Sequence, residues 1–306
     1  VGPTASGKTD AAQIVAERLG GEVVSADSMQ IYTGMDIATA KPTPEEMRGI
    51  PHHMLDVADP EEDFSVARYV ELAAPCVDDI LARGKLPIVA GGTGLYLDSL
   101  LSGRTFAPFS PDGGLRARLE ARFDALGGGA MLGELAAADP EAAARLHPND
   151  RKRIVRALEV FQQTGKTISQ HNRETRALSP RYDALTLSLA FQRREDMWAR
   201  IDRRVDEMMA AGLAEEVRAL LDSGVPVRCT AMQAIGYKEM AAALRGGGDV
   251  CAAAEEIKLR SRQYAKRQLT WFRRTEGAKW LFWGPEPDFE AACRTSTKYL
   301  EEFGLV

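Results

Sequence analysis

An α/β fold interrupted by a helical insertion is predicted by three features of this 306-residue chain. The first is a Gly-x-x-x-x-Gly-Lys-Thr pattern at residues 2–9, which opens into a helical run. The second is the alternation of short apolar runs with helical periods over the N-terminal third, the rhythm of a parallel sheet flanked by helices. The third is residues 109–179, where helical patterns follow one another without a clear strand. The resulting layout is a P-loop NTPase-like core made of residues 1–108 and 180–306, with 109–179 as a helical insertion domain.

Val1 is followed at once by the glycine pattern, so the strand expected to lead into it is missing or cut short. Apolar positions repeat at helical spacing over 10–19, and Gly20 and Gly21 end that run. Residues 22–26 read as a buried strand ending at Asp27. Ser65 is placed to cap a helix reaching Ala82, with Gly84 as its stop. Residues 85–90 form another strand, broken by Gly91-Gly92-Thr93-Gly94. Pro108, Pro111, Gly113 and Gly114 read as a loop, and helical texture then runs to about 178 across a Gly127-Gly128-Gly129 triplet. Strand character returns at 184–191; helices are predicted over 196–211, 213–223 and 250–274, and a closing strand over 279–283.

No window is apolar enough for a membrane-spanning helix, and nothing at the N-terminus reads as a signal peptide. Cys76, Cys229, Cys251 and Cys293 stand far apart and are read as reduced thiols of a cytoplasmic protein. The net charge of −5 argues weakly against a nucleic-acid partner. Its distribution argues the other way: residues 257–279 hold eight Lys/Arg and one acid, and residues 145–156 hold five and one. Such concentration suits either a polyanion footprint or two solvated helix faces.

Gly2, Pro3, Thr4, Ala5, Ser6, Gly7, Lys8 and Thr9 form a P-loop. Its glycines let backbone N–H groups turn inward around phosphate oxygens at a helix start, where the dipole also favours anions. Lys8 adds a point charge, and the Thr9 hydroxyl is suited to Mg²⁺. Such a loop recognises a diphosphate with Mg²⁺, not ATP in particular. Asp27 stands at the carboxyl edge of the second strand, where open α/β sheets place ligands. It suits a general base, a holder of metal-bound water, or a helix N-cap. His52 and His53 with Asp56 invite a metal reading, but adjacent histidines point to different sides and no third ligand is suitably spaced.

Several blocks stand together in one order: GPTASGKT (2–9), SADSMQIYTGMDIATAKPT (25–43), PHHMLDV (51–57), GGTGLY (91–96), DRKRIVRALEV (150–160) and YAKRQLTWF (264–272). In these the chain resembles the tRNA dimethylallyltransferase family over nearly its whole length. The resemblance implies transfer of a dimethylallyl group from dimethylallyl diphosphate to N6 of adenosine 37, just 3′ of the anticodon, by an enzyme using Mg²⁺. It implies that Lys8, the loop amides and Mg²⁺ at Thr9 stabilise the leaving diphosphate. It further implies that Asp27 takes the N6 proton and that Arg194 touches the diphosphate. It assigns tRNA contact to Asp27, Ser28, Met29 and Gln30, to Lys152, Arg153, Ile154, Val155 and Arg156, and to Gln233, Ala234, Ile235, Gly236, Tyr237 and Lys238. Thr93 and Arg116 match positions flanking a base flipped out of the anticodon stem-loop. Trp271 and Phe272 are read as core residues rather than as a stacking surface for RNA. A monomer that uses no membrane is expected.

Three other readings stay open. One is a small-molecule kinase, since a P-loop, an acid after the next strand and an arginine-rich helix also serve phosphoryl transfer. Another is prenyl transfer to a free adenine nucleotide, for which the basic insertion has no use. The last is a P-loop switch that binds RNA without modifying it.

Overall fold

The computed structural model describes residues 1–103, 106, 113–176 and 179–305. They divide into two compact units, Val1–Leu100 with Asp183–Val306, and Leu101–Tyr182.

Helix α1 (Lys8–Leu19) starts directly from the glycine loop and stops at Gly20, whose φ of 63° supplies a left-handed C-cap. Strand β1 (Glu22–Ser25) is buried at every position, as a strand covered on both faces must be. The short helix α2 (Pro44–Met47) carries a capping box between Thr43 and Glu46. Strand β2 (His52–His53) pairs in parallel with one edge of β1. Helix α3 (Val66–Ala82) begins where Ser65 accepts the Arg68 N–H, and buries Tyr69, Ala73, Val77 and Ile80. Strand β3 (Pro87–Ala90) pairs with the other edge of β1, and helix α4 (Gly94–Leu101) follows the glycine turn.

In the second unit, α5 (Gly113–Ala138), α6 (Pro140–Ala143), α7 (Arg151–Thr164) and α8 (Ile168–Arg176) close around Leu119, Met131, Leu135, Ile154 and Leu158. Of the loop expected around residue 110, Pro108 and Pro111 lie outside the described residues, while Gly113 and Gly114 instead begin α5. Gly127 breaks that helix with a φ of 78°. Gly128 lies so close to the Pro148 carbonyl that a Cβ would stand 2.0 Å from its oxygen.

The first unit resumes with β4 (Leu187–Phe191), α9 (Arg194–Ala210), α10 (Leu213–Asp222), α11 (Tyr237–Gly246), α12 (Val250–Phe272), β5 (Lys279–Trp283) and α13 (Phe289–Phe303). The described strands make two parallel sheets, in the orders β2-β1-β3 and β4-β5, rather than one. Val1 donates to Leu187 O at 2.7 Å and accepts from Leu189 N at 2.8 Å. Those are the ladder bonds of a parallel neighbour, but one residue does not make a strand. All four cysteines are free.

Glu22 opens β1 as a buried carboxylate. It accepts from Arg83 Nη2 at 2.8 Å, Lys85 Nζ at 2.8 Å and lies 2.8 Å from His53 Nε2. The Arg83 hydrogen bonds above all, with those of Lys85 and His53, outweigh burial and hold this carboxyl well below the usual carboxylate range. Its contribution to stability is therefore full above the ordinary carboxylate pKa of about 4.3 and fades as the pH falls below it. The partners stay partly exposed, so screening discounts the pairing. Glu22→Gln is expected to cost about 1–3 kcal/mol at neutral pH, less near pH 3, as read by urea denaturation.

Candidate active site

The glycine loop is held from outside by its carbonyls. Pro3 O accepts Lys8 Nζ at 2.8 Å, Ala5 O accepts Arg200 Nε at 3.0 Å, and Ser6 O accepts Trp283 Nε1 at 2.8 Å. Because a trans peptide sets N–H opposite C=O, fixing the Ser6 carbonyl outward turns the Gly7 N–H inward. Ala5 and Gly7 both take left-handed backbone, at φ 61° and 75°. No side chain caps the start of α1, so the first-turn N–H groups of the helix remain available to an anion. Gly2 has no room for a side chain: a Cβ there would stand 2.6 Å from Leu189 O.

Two cations, Lys8 and Arg200, bond loop carbonyls, and Arg204 lies within electrostatic range of Lys8. Lys8 is half-buried, and burial pushes its pKa down to about 8; Asp27 opposes that shift and Arg204 adds to it. Burial likewise lowers the pKa of Arg204, with Asp10 and Asp27 pulling the other way and Arg200 adding to the lowering. Lys8, Arg204 and Asp27 are thus within electrostatic reach of one another.

Asp27 stands at the end of β1, partly exposed, and accepts the Met29 N–H at 2.9 Å. A turn follows it, so the N-cap alternative falls away. The Gly91–Gly94 turn is pressed against this strand end: Thr93 N donates to Ala26 O at 3.2 Å, and Thr93 Oγ1 accepts Ser28 N at 3.0 Å. A Cβ on Gly91 would stand 2.2 Å from Ala26 O, so only glycine permits that approach. Within 27–30, Gln30 is turned inward, bonded to Ser25 and to the carbonyls of Thr39 and Ala40. Tyr264 is engaged with Thr93 and Gln268, and burial with the nearby Asp27 charge pushes its phenol up to about 12.

The structure divides each of the other matched segments. Lys152 and Arg153 are exposed on α7, whereas Ile154 and Val155 are core residues of the second unit, 0% and 1% exposed. Arg156 and Arg116 both approach the buried Glu159, at 2.7 and 3.6 Å. Gln233, Ile235 and Lys238 line an open groove of about 580 Å³. Ala234, Gly236 and Tyr237 instead pack inward, and Tyr237 Oη donates to Glu216, which also receives the N–H groups of Asp36 and Ile37. Gly236 is needed there because a Cβ would meet Ala38 at 2.6 Å.

Arg194 is mostly exposed, with its guanidinium 4.5 Å from the Trp198 ring centroid. Arg200, almost two turns further along α9, makes the hydrogen bond to the loop. Sequence reasoning missed Arg200, Arg204, Gln268 and Trp283. A signal existed: Arg200 and Arg204 directly precede Ile201 and Val205 on the helix whose inner face is Met197, Ile201 and Val205, and Gln268 interrupts the buried row of Ala265 and Phe272. Trp271 corrects its core reading. It is 40% exposed, lies over Gly94 and donates to Asp98 at 3.0 Å, while Phe272 is buried as expected. His52 bonds Ile50 O, His53 bonds Glu22, and Asp56 pairs with Lys41. Among the described residues, no three His, Cys, Asp or Glu side chains gather to hold a metal.

The IPP transferase family model matches residues 30–275. A tRNA dimethylallyltransferase of Geobacter sulfurreducens is 49% identical over 280 residues, 92% of this chain and 89% of its own length. Another, of Thermoanaerobacter, is 44% identical over 301 residues, 98% of this chain and 96% of its own. The full-length tRNA isopentenylpyrophosphate transferase of Bacillus halodurans has a similar structure, with a TM-score of 0.73 at 40% identity over 98% of this chain and 94% of that one. A eukaryotic dimethylallyltransferase solved acting on tRNA gives 0.82 at 30% identity, over 98% and 76%.

Proposed function

The chain belongs to the IPP transferase family, and from that premise we propose that it transfers a dimethylallyl group from dimethylallyl diphosphate to N6 of adenosine 37 in tRNA. The observation that carries this is that the glycine loop and the turn beside Asp27 are tied together: Gln268 bonds Thr4 N and Gly92 O, and Thr93 holds Ser28 N at 3.0 Å, which sets an anion cradle near a proton acceptor. As the C–O bond of the donor breaks, negative charge builds on the diphosphate. The loop amides, Lys8, Arg200 and Arg204 stabilise it, the largest kind of electrostatic contribution an active site makes. Carbon bonds to N6, diphosphate leaves, and the N6 proton passes to the Asp27 carboxylate. The adenine must leave its stack to reach that carboxylate. Thr93 and Ser28 border the place it would occupy.

The residues fit a magnesium ion that arrives with its diphosphate. The cradle supplies the Thr9 hydroxyl rather than a cage of carboxylates, and Mg²⁺ ordinarily takes most of its ligands from phosphate and water. When bound it neutralises part of the leaving-group charge. No described helix is long and apolar enough to cross a membrane, and we take a single chain acting in the cytoplasm as the working unit.

The direct test is to incubate the protein with dimethylallyl diphosphate, Mg²⁺ and unmodified tRNA, then identify nucleosides by mass spectrometry. Dimethylallyladenosine at position 37 is expected. Release of ADP from ATP without the prenyl donor would favour the kinase reading. A pH profile tests the cradle. Lys8 is charged below its pKa of about 8, so kcat/KM for the donor is expected to stay flat from about pH 6 to 8 and to fall at higher pH, toward tenfold per unit. A profile level to about pH 10 would remove the Lys8 charge from donor binding.

The exposed Lys152 and Arg153 are assigned to RNA phosphates. Changing both to glutamine is expected to weaken tRNA binding and reduce the slope of log K against log salt by about 1.4. An unchanged slope would return this face of α7 to simple solvation.

A further inference from the structure

Gln268 lies on α12 with only 5% of its surface exposed, yet both ends of its amide are used. Oε1 accepts the N–H of Thr4 in the glycine loop at 2.8 Å, and Nε2 donates to the carbonyl of Gly92 at 2.9 Å. Only this orientation of the amide satisfies a donor on one side and an acceptor on the other. The next residue, Thr93, holds Ser28 N at 3.0 Å, and Ser28 adjoins Asp27. Three hydrogen bonds and the peptide links Gly92–Thr93 and Asp27–Ser28 therefore join the glycine loop through Gln268 to the Asp27 edge.

We propose that Gln268 is the positioning residue that sets the spacing between the diphosphate cradle and the Asp27 edge of the active site. The proposal rests on the prenyl-transfer reading above. The amides of Gly7, Lys8 and Thr9 that meet an anion are not bonded to Gln268, and neither is the surface that meets RNA. Losing the strut therefore leaves both substrates bound and misaligns them. A misplacement of about 1 Å between reacting groups costs on the order of a hundredfold in rate.

Gly92 offers a second way to break the same strut. Its backbone conformation is one that alanine adopts freely, and an added Cβ would stand 2.2 Å from Gln268 Nε2, with nothing else nearer than 3.4 Å. Gly92→Ala thus displaces the amide without altering Gln268.

The experiment measures kcat and both KM values for the wild type, Gln268→Ala, Gly92→Ala and the double variant, with thermal unfolding as a check of integrity. Each single variant is expected to lose roughly ten- to a hundredfold in kcat, with both KM values within about threefold of wild type. The double variant is expected to lose no more than the worse single one, because the Gln268–Gly92 bond that Gly92→Ala breaks is already absent in Gln268→Ala. An unchanged kcat in either folded single variant overturns the proposal. So does a loss confined to the KM for dimethylallyl diphosphate, or full additivity in the double variant. Should Gln268→Ala fail to fold, Gly92→Ala decides on its kcat and KM split. A wild-type protein that prenylates no tRNA overturns the reading of function as well, and that control is run first.

Discussion

Asp27→Asn is expected to lower the rate of dimethylallyl transfer by about 10²- to 10⁴-fold while leaving tRNA affinity within about twofold, the range set by removing a positioned proton acceptor. Asparagine keeps the size of the side chain and an oxygen able to accept the Met29 N–H that Asp27 accepts at 2.9 Å. The turn leading to Ser28 and Thr93 should therefore survive, and the variant separates proton transfer from architecture. Adenine N6 is a poor nucleophile because its lone pair is delocalised into the ring. A carboxylate in place as the C–N bond forms has more to contribute here than toward an ordinary amine. Single-turnover measurement with saturating tRNA reads the chemical step directly. Near-normal turnover would take the base role away from Asp27.

Lys8→Met is expected to lower kcat by about 10²- to 10³-fold and to raise the KM for dimethylallyl diphosphate, with tRNA binding unaffected. The ammonium bonds Pro3 O at 2.8 Å, which tightens the loop, and in the proposed function its charge would stabilise the leaving diphosphate. Methionine retains the apolar stem and removes both. The pKa of about 8 that burial imposes on Lys8 means that free enzyme near neutral pH holds its proton with little in reserve. A bound diphosphate would restore the proton's hold by adding negative charge beside it. Loss of donor affinity with an unchanged kcat would show that Lys8 binds the ground state and the transition state equally. Combined with Asp27→Asn, the losses are expected to fall short of the product of the two, since both groups serve one step.

Much of this was legible along the chain because it is encoded within a few residues. The glycine loop is an example: Gly2 and Gly7 stand where side chains are excluded or φ is positive, and those demands arise inside the motif itself. Helix ends are local in the same way, as Ser65 capping α3 and Gly20 closing α1 illustrate. Asp27 at the end of a buried strand also follows from a short pattern, since the end of a parallel strand is where a ligand is met.

What depended on rotation about a helix axis was not legible. In the 152–156 segment the sequence alone does not say that Lys152 and Arg153 meet water while Ile154 and Val155 enter a core. In α9, several arginines stand in one run. Which of them reaches the loop is decided by the face that Met197, Ile201 and Val205 bury, and that face turns Arg200 toward Ala5 while Arg194 stacks on Trp198.

The sequence by itself therefore determined the glycine loop, the order of its flanking elements and the aspartate that follows the buried strand. A backbone conformation and a cap are settled by neighbours in the chain, whose spacing the peptide geometry dictates. Only the tertiary structure decided which cations complete the cradle, and that Gln268, 264 residues away from Thr4, joins it to the acceptor edge. Contacts of that kind are made by packing between distant segments, and no local pattern carries the distance.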